Sequence, residues 1–305
     1  LVTPIKTAYW NHTPLLLVTP QAANKTMGQG GFQEVEQMNL FKDMVCYQEE
    51  VRDPSRMAEV LNRVIEKAIR GSAPAQINVP RDYWTQVIDI ELPPIVRLER
   101  QGGGSDAISK AADLLSKAKF PVILSGAGVV IGGAIEETKK LAEKLDSPVC
   151  SGYQHNDSFP GSHPLAVGPL GYNGSKAAME LISKADVVLA LGTRLNPFST
   201  LPGYGIDYWP KKANIIQVDI NPDRIGLTKK VTVGISGDAK LVAQQILEKL
   251  SPNAGDTDRQ KRKDLIHQTK SAWLQKLSSL DHEDDDKGTV WNKEARERDS
   301  DRMSP

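Results

Sequence analysis

Small and charged residues follow the apolar runs in the middle of the chain, where they could bind a ligand. Gly126 and Gly128 come after the run PVILS, Arg194 comes after VVLALGT, and Asp219 and Asn221 lie at the end of IIQVDIN. Glycines let a backbone approach a ligand closely, a carboxylate at a strand end can accept hydrogen bonds from ribose hydroxyls, and helix starts can hold phosphates. These five residues are therefore candidates for a nucleotide-binding crevice.

The spacing of the glycines argues against a bound dinucleotide. In SGAGVVIGG, Gly126 and Gly128 are followed by Val129 and Val130, and no third glycine stands where the dinucleotide fingerprint requires one. We therefore favour a structural crevice over a nucleotide site and assign no cofactor to it.

A glycine-rich loop near the start of the chain is a second candidate site. Gly28 to Gly31 leads directly into Phe32, Gln33 and Glu34. Such a loop can bring its backbone close to a ligand or to a neighbouring chain. The simpler interpretation is a loop that enters a helix, because apolar residues follow it at Val35, Met38, Leu40 and Phe41. Glu34 would then face the positive end of the helix dipole.

Histidines and cysteines give no metal or redox pattern. His155 and His163 lie in one loop with Asp157, but zinc needs three or four converging ligands, so we predict loop hydrogen bonding and no metal site. Cys46 and Cys150 are far apart and match no known spacing. We expect both to be buried free thiols in a reducing cytoplasm.

The elements that must position the crevice residues lie between Phe120 and Ile235. Short runs rich in Val, Ile and Leu alternate there with helical patterns. Such continuous apolar runs are typical of parallel strands that are buried on both faces. Ligands bind to these sheets at the carboxyl ends of the strands, where the five candidates stand. We therefore predict an α/β fold with a doubly wound parallel-sheet central domain.

The whole chain is predicted to comprise four regions. Residues 1–87 show a strand, a loop, a helix and a strand, the pattern of the second half of an α/β domain. Residues 88–104 are rich in proline and glycine and are predicted to be a linker. Residues 105–251 form the central Rossmann-like domain, and residues 252–305 hold a helical pattern followed by a polar tail, expected from Asp281 onward to be extended or disordered.

Composition excludes two classes of partner. The chain has 305 residues, and Lys plus Arg and Asp plus Glu both total 38, so the formal net charge is zero. No global field therefore favours nucleic acid. No apolar run approaches the ~18–20 residues that a membrane-spanning helix needs, so we expect no membrane partner.

Three features together resemble the thiamine-diphosphate-dependent enzymes of the acetolactate synthase and pyruvate oxidase type. The first is GFQE at Gly31–Glu34, after a Gly-Gln pair. The second is GSAPAQINVPRD at Gly71–Asp82, similar to the closing strand of the pyrimidine-binding domain of that family. The third is a series in the central domain, namely PVILSGAG, an HP pair with a following GxxG, ADVVLALGTR and IIQVDINPDRIG. The features occur in the order and at the separations of that family, and the resemblance covers residues 6 to about 250.

The resemblance implies several properties of a full-length enzyme. It implies thiamine diphosphate and Mg²⁺ as cofactors, and a homodimer or homotetramer in which active sites form between two chains. It implies that Phe32 and Gln33, with Glu34, belong to an active-site loop. In some relatives the central crevice carries a flavin or an adenine nucleotide.

The resemblance is closest to members of the family that act on a sulfonated aldehyde. The passages that carry it include SGYQHNDSFPGSHPLAVGPLGYNGSK and NPFSTLPGYGIDYWP. It implies an acetyltransferase that converts sulfoacetaldehyde and phosphate to acetyl phosphate and sulfite. Two alternatives stay open, a related lyase of a 2-oxo acid or aldehyde and a non-catalytic nucleotide-binding or regulatory module.

The chain also departs from the pattern of that family. The glutamate that protonates the aminopyrimidine is expected upstream of residue 1, and the Gly-Asp-Gly motif that holds Mg²⁺ and the pyrophosphate is expected beyond residue 305. Gly237 and Asp238 are followed by Ala239 and do not replace it. We therefore expect an internal piece of a longer enzyme that carries no catalytic residue and is inactive alone.

Overall fold

The computed structural model of the chain describes residues 1–94, 99–252, 254 and 258–283, and for residues 280–283 the helical backbone alone. The chain divides into two units, Leu1–Leu98 and Glu99–Pro305. We describe each unit by itself.

The first unit contains a parallel sheet. Its strands are β1 (Leu15–Gln21), β2 (Tyr47–Glu50) and β3 (Pro74–Pro80), and the described residues place them in the order β1-β3-β2. The central strand β3 is buried along its whole length. The helices of this unit are α1 (Val2–Trp10), α2 (Gln37–Phe41) and α3 (Met57–Gly71).

Helix α3 supplies the apolar cover of this sheet. Its residues Val60, Val64 and Ala68 are buried and join one core with Ile77 and Val79 of β3. The spacing of four residues between them places the three side chains on one face of the helix. The helix and the closing strand predicted within residues 1–87 therefore agree with the observed α3 and β3.

Strand β2 is an element that the apolar pattern does not predict. Its sequence YQEE is polar because β2 lies at the edge of the sheet, and all four residues are only half-buried. The Glu49 carboxylate accepts two hydrogen bonds from the Arg63 guanidinium of α3, at 2.7 and 2.8 Å. A fork-shaped ion pair thus joins the edge strand to the helix, where a central strand would use apolar contacts.

The second unit is a doubly wound sheet of six parallel strands within the described part of the chain, in the order β6-β5-β4-β7-β8-β9. Read from the first strand of the unit, this order is 3-2-1-4-5-6, the order of dinucleotide-binding sheets. The predicted α/β class is therefore confirmed. The strands are β4 (Pro121–Ser125), β5 (Val149–Ser151), β6 (Ala166–Pro169), β7 (Val187–Leu191), β8 (Asn214–Asp219) and β9 (Val233–Ser236).

Helices cover both faces of this sheet in the manner of a doubly wound fold. The helices are α4 (Ser105–Lys117), α5 (Ala127–Gly132), α6 (Ile135–Leu145), α7 (Lys176–Ile182), α8 (Ala239–Lys249) and α9 (Arg259–Glu283). The sequence pattern does not predict β5, β6 or α5. β5 and β6 have three and four residues, shorter than β4, β7 and β8, and α5 has six residues, fewer than two helical turns, so none shows a clear pattern.

Helix α9 is attached to the sheet unit by a buried arginine. Arg262 is 2 % exposed. Its guanidinium donates to the backbone carbonyls of Lys119 at 2.7 Å, Leu145 at 2.9 Å and Asp146 at 3.0 Å. Leu145 and Asp146 end α6, so the arginine satisfies carbonyls that a helix end leaves without partners.

The predicted tail needs one correction. We expect an extended or disordered chain from Asp281, but α9 continues through Glu283. The helix continues because DHE follows the helical pattern without a glycine or proline to end it. The remainder of that prediction lies outside the described residues.

We predict that Arg262→Met releases α9 from the unit. The substitution keeps the apolar stem but leaves three buried carbonyls without a donor, so we expect the local stability of α9 to fall by about 3 kcal/mol. Hydrogen exchange of the α9 amides measures the loss. Lys261→Met is the matched control, because the neighbouring Lys261 side chain is 85 % exposed. Equal exchange in both variants would contradict the attachment.

Candidate functional site

The predicted crevice lies where the strand order reverses, at the carboxyl ends of β4 and β7. Ser125 at the end of β4 pairs with Leu191 at the end of β7. Gly126 and Gly192 follow these strands directly, and Gly128 lies in the first turn of α5. The structure thus brings the predicted glycines to the edge of the sheet at which doubly wound folds bind ligands.

Close backbone packing fills the space that the glycines create. The Gly126 amide donates to the Leu191 carbonyl at 3.1 Å, and the Gly128 amide donates to the Gly192 carbonyl at 2.8 Å. A Cβ built on Gly128 would lie 2.7 Å from the Cα of Gly192. Gly192 itself has a φ of +61°, a conformation that favours glycine. These glycines let the start of α5 pack against the loop that follows β7, and all three of their amides have protein acceptors, because the Gly192 amide donates to the Val218 carbonyl.

Asp219 stands at the end of the next strand, β8, and belongs to a charged cluster. It is buried, and its carboxylate accepts a hydrogen bond from the Asn221 amide at 2.9 Å. The Arg224 guanidinium lies 3.8 Å from the same carboxylate oxygen. Burial raises the pKa of Asp219 above its ordinary value, while the Asn221 amide and the nearby arginines oppose that rise.

Arg194 is the other predicted crevice residue near this carboxylate. Burial and the neighbouring charge of Arg224 lower the pKa of Arg194, and the charge of Asp219 opposes that effect. The Asn221 side-chain oxygen accepts from the Asp223 amide and caps a short 3-10 helix, Pro222–Arg224. The cluster therefore consists of one buried carboxylate between two arginines.

Gln217 connects the loops around this cluster and is absent from the predicted site. It is 1 % exposed. Its amide nitrogen donates to the carbonyls of Thr193 and Arg224, both at 3.2 Å, and its oxygen accepts from the Gly226 amide at 2.9 Å. One polar residue inside the apolar run NIIQVD was the signal that could have identified it.

Aromatic side chains stand at the same edge and were also missed. Tyr153 follows β5, Tyr172 follows β6 and Phe198 follows β7. The Phe198 ring lies 5.0 Å from the Tyr153 ring, edge to face, and 6.4 Å from the Tyr172 ring, measured between centroids. Tyr172 and Phe198 are exposed. The three residues are far apart in sequence, and only the strand order brings them together, so no local pattern predicts the cluster.

The glycine-rich loop of the first unit presents its predicted residues to the surface. The Phe32 side chain is 88 % exposed. Gln33 has a φ of +62°, in the left-handed region that few residues other than glycine adopt. The Glu34 carboxylate accepts hydrogen bonds from the Gly28 amide at 2.6 Å and the Gly31 amide at 3.1 Å.

The expected role of Glu34 at a helix start is wrong. Helix α2 begins at Gln37, and no side chain caps its first turn. The carboxylate accepts hydrogen bonds from the preceding amides of Gly28 and Gly31 instead. Gly28 and Gly30 have positive φ angles of 82° and 72°, and the backbone therefore turns there. Glu34 is thus part of the loop rather than of the helix.

The remaining candidates form local contacts. His163 contacts the Glu143 carboxylate at 3.2 Å through Nε2 and accepts from the Leu165 amide through Nδ1. Among the described residues no group of three or more His, Cys, Asp or Glu side chains could hold a metal ion.

The two cysteines differ in exposure. Cys150 is buried and burial raises its pKa, but Cys46 is exposed, so the expectation of two buried thiols is wrong for Cys46. Cys46 lies just before the edge strand β2, which is only half-buried. Within the described residues no helix is long and apolar enough to cross a membrane.

Comparison with known proteins agrees with this geometry. Residues 108–246 match the family described as the thiamine pyrophosphate enzyme central domain. The chain is 79 % identical over 304 residues to a probable sulfoacetaldehyde acetyltransferase of Rhizobium meliloti strain 1021, covering 100 % of this chain and 51 % of that protein. It is 77 % identical over 304 residues to a sulfoacetaldehyde acetyltransferase of Roseovarius nubinhibens, covering 100 % and 50 %.

More distant proteins share the family or the fold. A probable acetolactate synthase large subunit of Methanocaldococcus jannaschii is 36 % identical over 258 residues, covering 82 % of this chain and 43 % of that protein. Benzoylformate decarboxylase from Polynucleobacter necessarius has a similar structure, with a TM-score of 0.71 and 23 % identity, over 83 % of this chain and 48 % of that one. The chain spans about half the length of the curated relatives it matches. The family resemblance of the sequence motifs is confirmed.

We predict that Gly192→Ala destabilises the second unit strongly. The added methyl would meet the Cα of Gly128 at 2.7 Å, and the positive φ adds strain, so we expect a loss of about 3 kcal/mol in the free energy of unfolding. The matched control is Gly205→Ala, where φ is +73° but nothing lies within 4 Å. Strain alone should cost that variant about 1 kcal/mol. Urea unfolding measures both, and equal losses would show that packing at the crevice is not tight.

Proposed function

Because this chain contains a central domain of the thiamine pyrophosphate enzymes and is 79 % identical along its length to a probable sulfoacetaldehyde acetyltransferase, we propose that the whole protein is a sulfoacetaldehyde acetyltransferase. The observation that carries the proposal is the difference in identity between two groups of relatives. The acetyltransferases of Rhizobium meliloti and Roseovarius nubinhibens match at 79 and 77 %, whereas the Methanocaldococcus jannaschii acetolactate synthase matches at 36 %.

The proposed reaction transfers an acetyl group to phosphate. The carbon–sulfur bond of sulfoacetaldehyde breaks and sulfite leaves with the bonding electron pair. A phosphate oxygen forms a bond to the former aldehyde carbon, which loses its hydrogen as a proton. The neighbouring carbon gains a proton and becomes a methyl group. Sulfoacetaldehyde and hydrogen phosphate thus give acetyl phosphate and hydrogen sulfite with atoms and charge balanced and no external oxidant. Thiamine diphosphate, when bound, supplies the nucleophilic carbon that activates the aldehyde.

Within this chain, the loop tip at Phe32 and Gln33 is our candidate for contact with substrate. Its 88 % exposure leaves the Phe32 ring available to a ligand or to another subunit. Gln33 is exposed as well, and its backbone is in the left-handed region. We propose that Phe32 shields the reacting centre from water and that the Gln33 amide orients the substrate by hydrogen bonding.

The cofactor and its metal need groups that these residues do not supply. The described part of the chain holds no group of three or more His, Cys, Asp or Glu side chains fit for Mg²⁺. We propose that the rest of the protein holds Mg²⁺ and the pyrophosphate. The second unit would then serve as a scaffold.

We also propose a homo-oligomer, a dimer or tetramer, in which the loop tip reaches the active site of a partner. The exposed Phe32 ring supports this, since covering an aromatic side chain with a partner subunit lowers the free energy of the assembly. Sedimentation velocity of the whole protein measures the oligomeric state.

We propose that the protein is located in the cytoplasm. Both described cysteines are free thiols, which favours that compartment.

A nucleotide-binding module is the second candidate, favoured by the arginines around Asp219 at the carboxyl edge of β7 and β8. The amides of Gly126 and Gly128, however, already donate to protein carbonyls. We therefore predict that ADP or flavin adenine dinucleotide at 1 mM raises the melting temperature of the protein by less than about 1 °C. Arg194→Ala serves as the control, and a rise that this variant abolishes would establish the nucleotide site.

We predict that the whole protein, with thiamine diphosphate and Mg²⁺, forms acetyl phosphate and sulfite in equal amounts from sulfoacetaldehyde and phosphate. Gln33→Ala should lower kcat/KM at least about tenfold, as expected for the loss of one substrate hydrogen bond. Gln29→Ala, in the same loop, is the control and should change kcat/KM less than about twofold. A wild-type enzyme that consumes pyruvate but not sulfoacetaldehyde would contradict the assignment.

A further inference from the structure

The tip of the glycine-rich loop has an unusual backbone. Gly28, Gly30 and Gln33 have φ angles of 82°, 72° and 62°, so three of six consecutive residues are in the left-handed region. Glycine adopts this region readily, but Gln33 does so at a cost. Such a conformation persists only where surrounding contacts determine it.

The base of the loop is held by three side-chain amides, from β1, α2 and β2. Gln21 at the end of β1 donates to the Val35 carbonyl at 3.3 Å, and Gln37 donates to the Pro20 carbonyl. Gln48 of β2 donates to the Met38 carbonyl at 2.7 Å. These three contacts hold the residues that follow the tip, but none of them reaches the glycines.

Glu34 connects the fixed base to the glycines. Its two carboxylate oxygens accept from separate amides, Oε1 from Gly28 and Oε2 from Gly31. The two hydrogen bonds close the tip into a ring that contains Phe32 and Gln33. Bonds from a backbone amide to a carboxylate are about twice as strong as neutral ones.

The charge of Glu34 makes a direct role in substrate binding unfavourable. The substrate proposed above carries a sulfonate, and the co-substrate is phosphate, so both are anions. A carboxylate near them repels them unless its charge is compensated. The two glycine amides provide that compensation, which indicates that Glu34 acts on the loop and not on the substrate.

We propose that Glu34 is a positioning residue, which ties the Gly28–Gly31 turn so that Phe32 and Gln33 are held in the conformation that meets the substrate. This rests on the proposed function for its kinetic part, because Phe32 and Gln33 must contact substrate for their position to matter. The tie itself rests on the two hydrogen bonds alone.

The test compares Glu34→Ala and Glu34→Gln in the whole protein with Glu36→Ala as the matched control. Glu36 is an exposed carboxylate two residues away whose side chain caps no helix. In Glu34→Ala, the amides of Gly28 and Gly31 should both exchange with deuterium about tenfold faster than in the wild type, and in Glu34→Gln at least one of them should. The control should exchange like the wild type.

The kinetics separate a positioning role from a charge effect. If Glu34 positions the tip, Glu34→Ala should raise the KM for sulfoacetaldehyde about tenfold. Glu34→Gln should raise the KM less, because its single amide oxygen can restore one of the two hydrogen bonds. If Glu34 acted by repulsion, Glu34→Gln would lower the KM, and that result would overturn the proposal.

Three other outcomes are decisive in different ways. Unchanged exchange at Gly28 and Gly31 in Glu34→Ala would overturn the tie. Faster exchange with unchanged kinetics in an active enzyme would overturn the positioning role. A wild-type enzyme that forms no acetyl phosphate would reject the proposed function instead, and the exchange measurement would still accept or reject the tie.

Discussion

The close approach of the α5 backbone to the loop after β7, at the switch point of the second sheet, is the constraint on which that unit depends. Gly128 and Gly192 lie so near that a single Cβ on either would collide with the other's backbone. The contact fixes how β4 leads into α5 and how β7 leads into its loop. It also takes up amides that a doubly wound sheet otherwise offers to a phosphate. The edge of the sheet thus keeps the backbone arrangement of a ligand-binding site. The amides of Gly126 and Gly128, however, donate to protein carbonyls and not to a ligand.

Buried side chains that bond to backbone atoms repeat this solution elsewhere in the unit. Gln217 joins the loops that follow β7 and β8, and Arg262 joins α9 to the end of α6. Each is almost fully buried, and each donates to carbonyls from different parts of the chain. A buried polar side chain costs free energy unless its hydrogen bonds are made, so such residues favour one arrangement of loops over others. A unit built in this way is suited to be a rigid scaffold.

The sequence predicts the parts of this structure that have a period and misses the parts that do not. The strands β4, β7 and β8 and the helix α3 are long enough for their apolar pattern to identify them. β2 is a polar edge strand, and β5 and α5 are too short to show a pattern. At the site, residue type identified the glycines of the crevice but not what they contact. That contact depends on the strand order 3-2-1-4-5-6, which no local pattern contains.

The same limit explains why Glu34 was assigned to a helix and belongs to a loop. A carboxylate just before a helical pattern predicts a helix-start residue, because the N-terminal amides are the donors nearest in sequence. In this chain the left-handed glycines lie in a turn whose nearer amides donate to the carboxylate. Consequently, a negative group can lie beside the proposed substrate site without repelling anions strongly, since two backbone dipoles compensate its charge. The glycines of the loop therefore have a second use besides flexibility, because they supply the amides that make an acidic residue acceptable there.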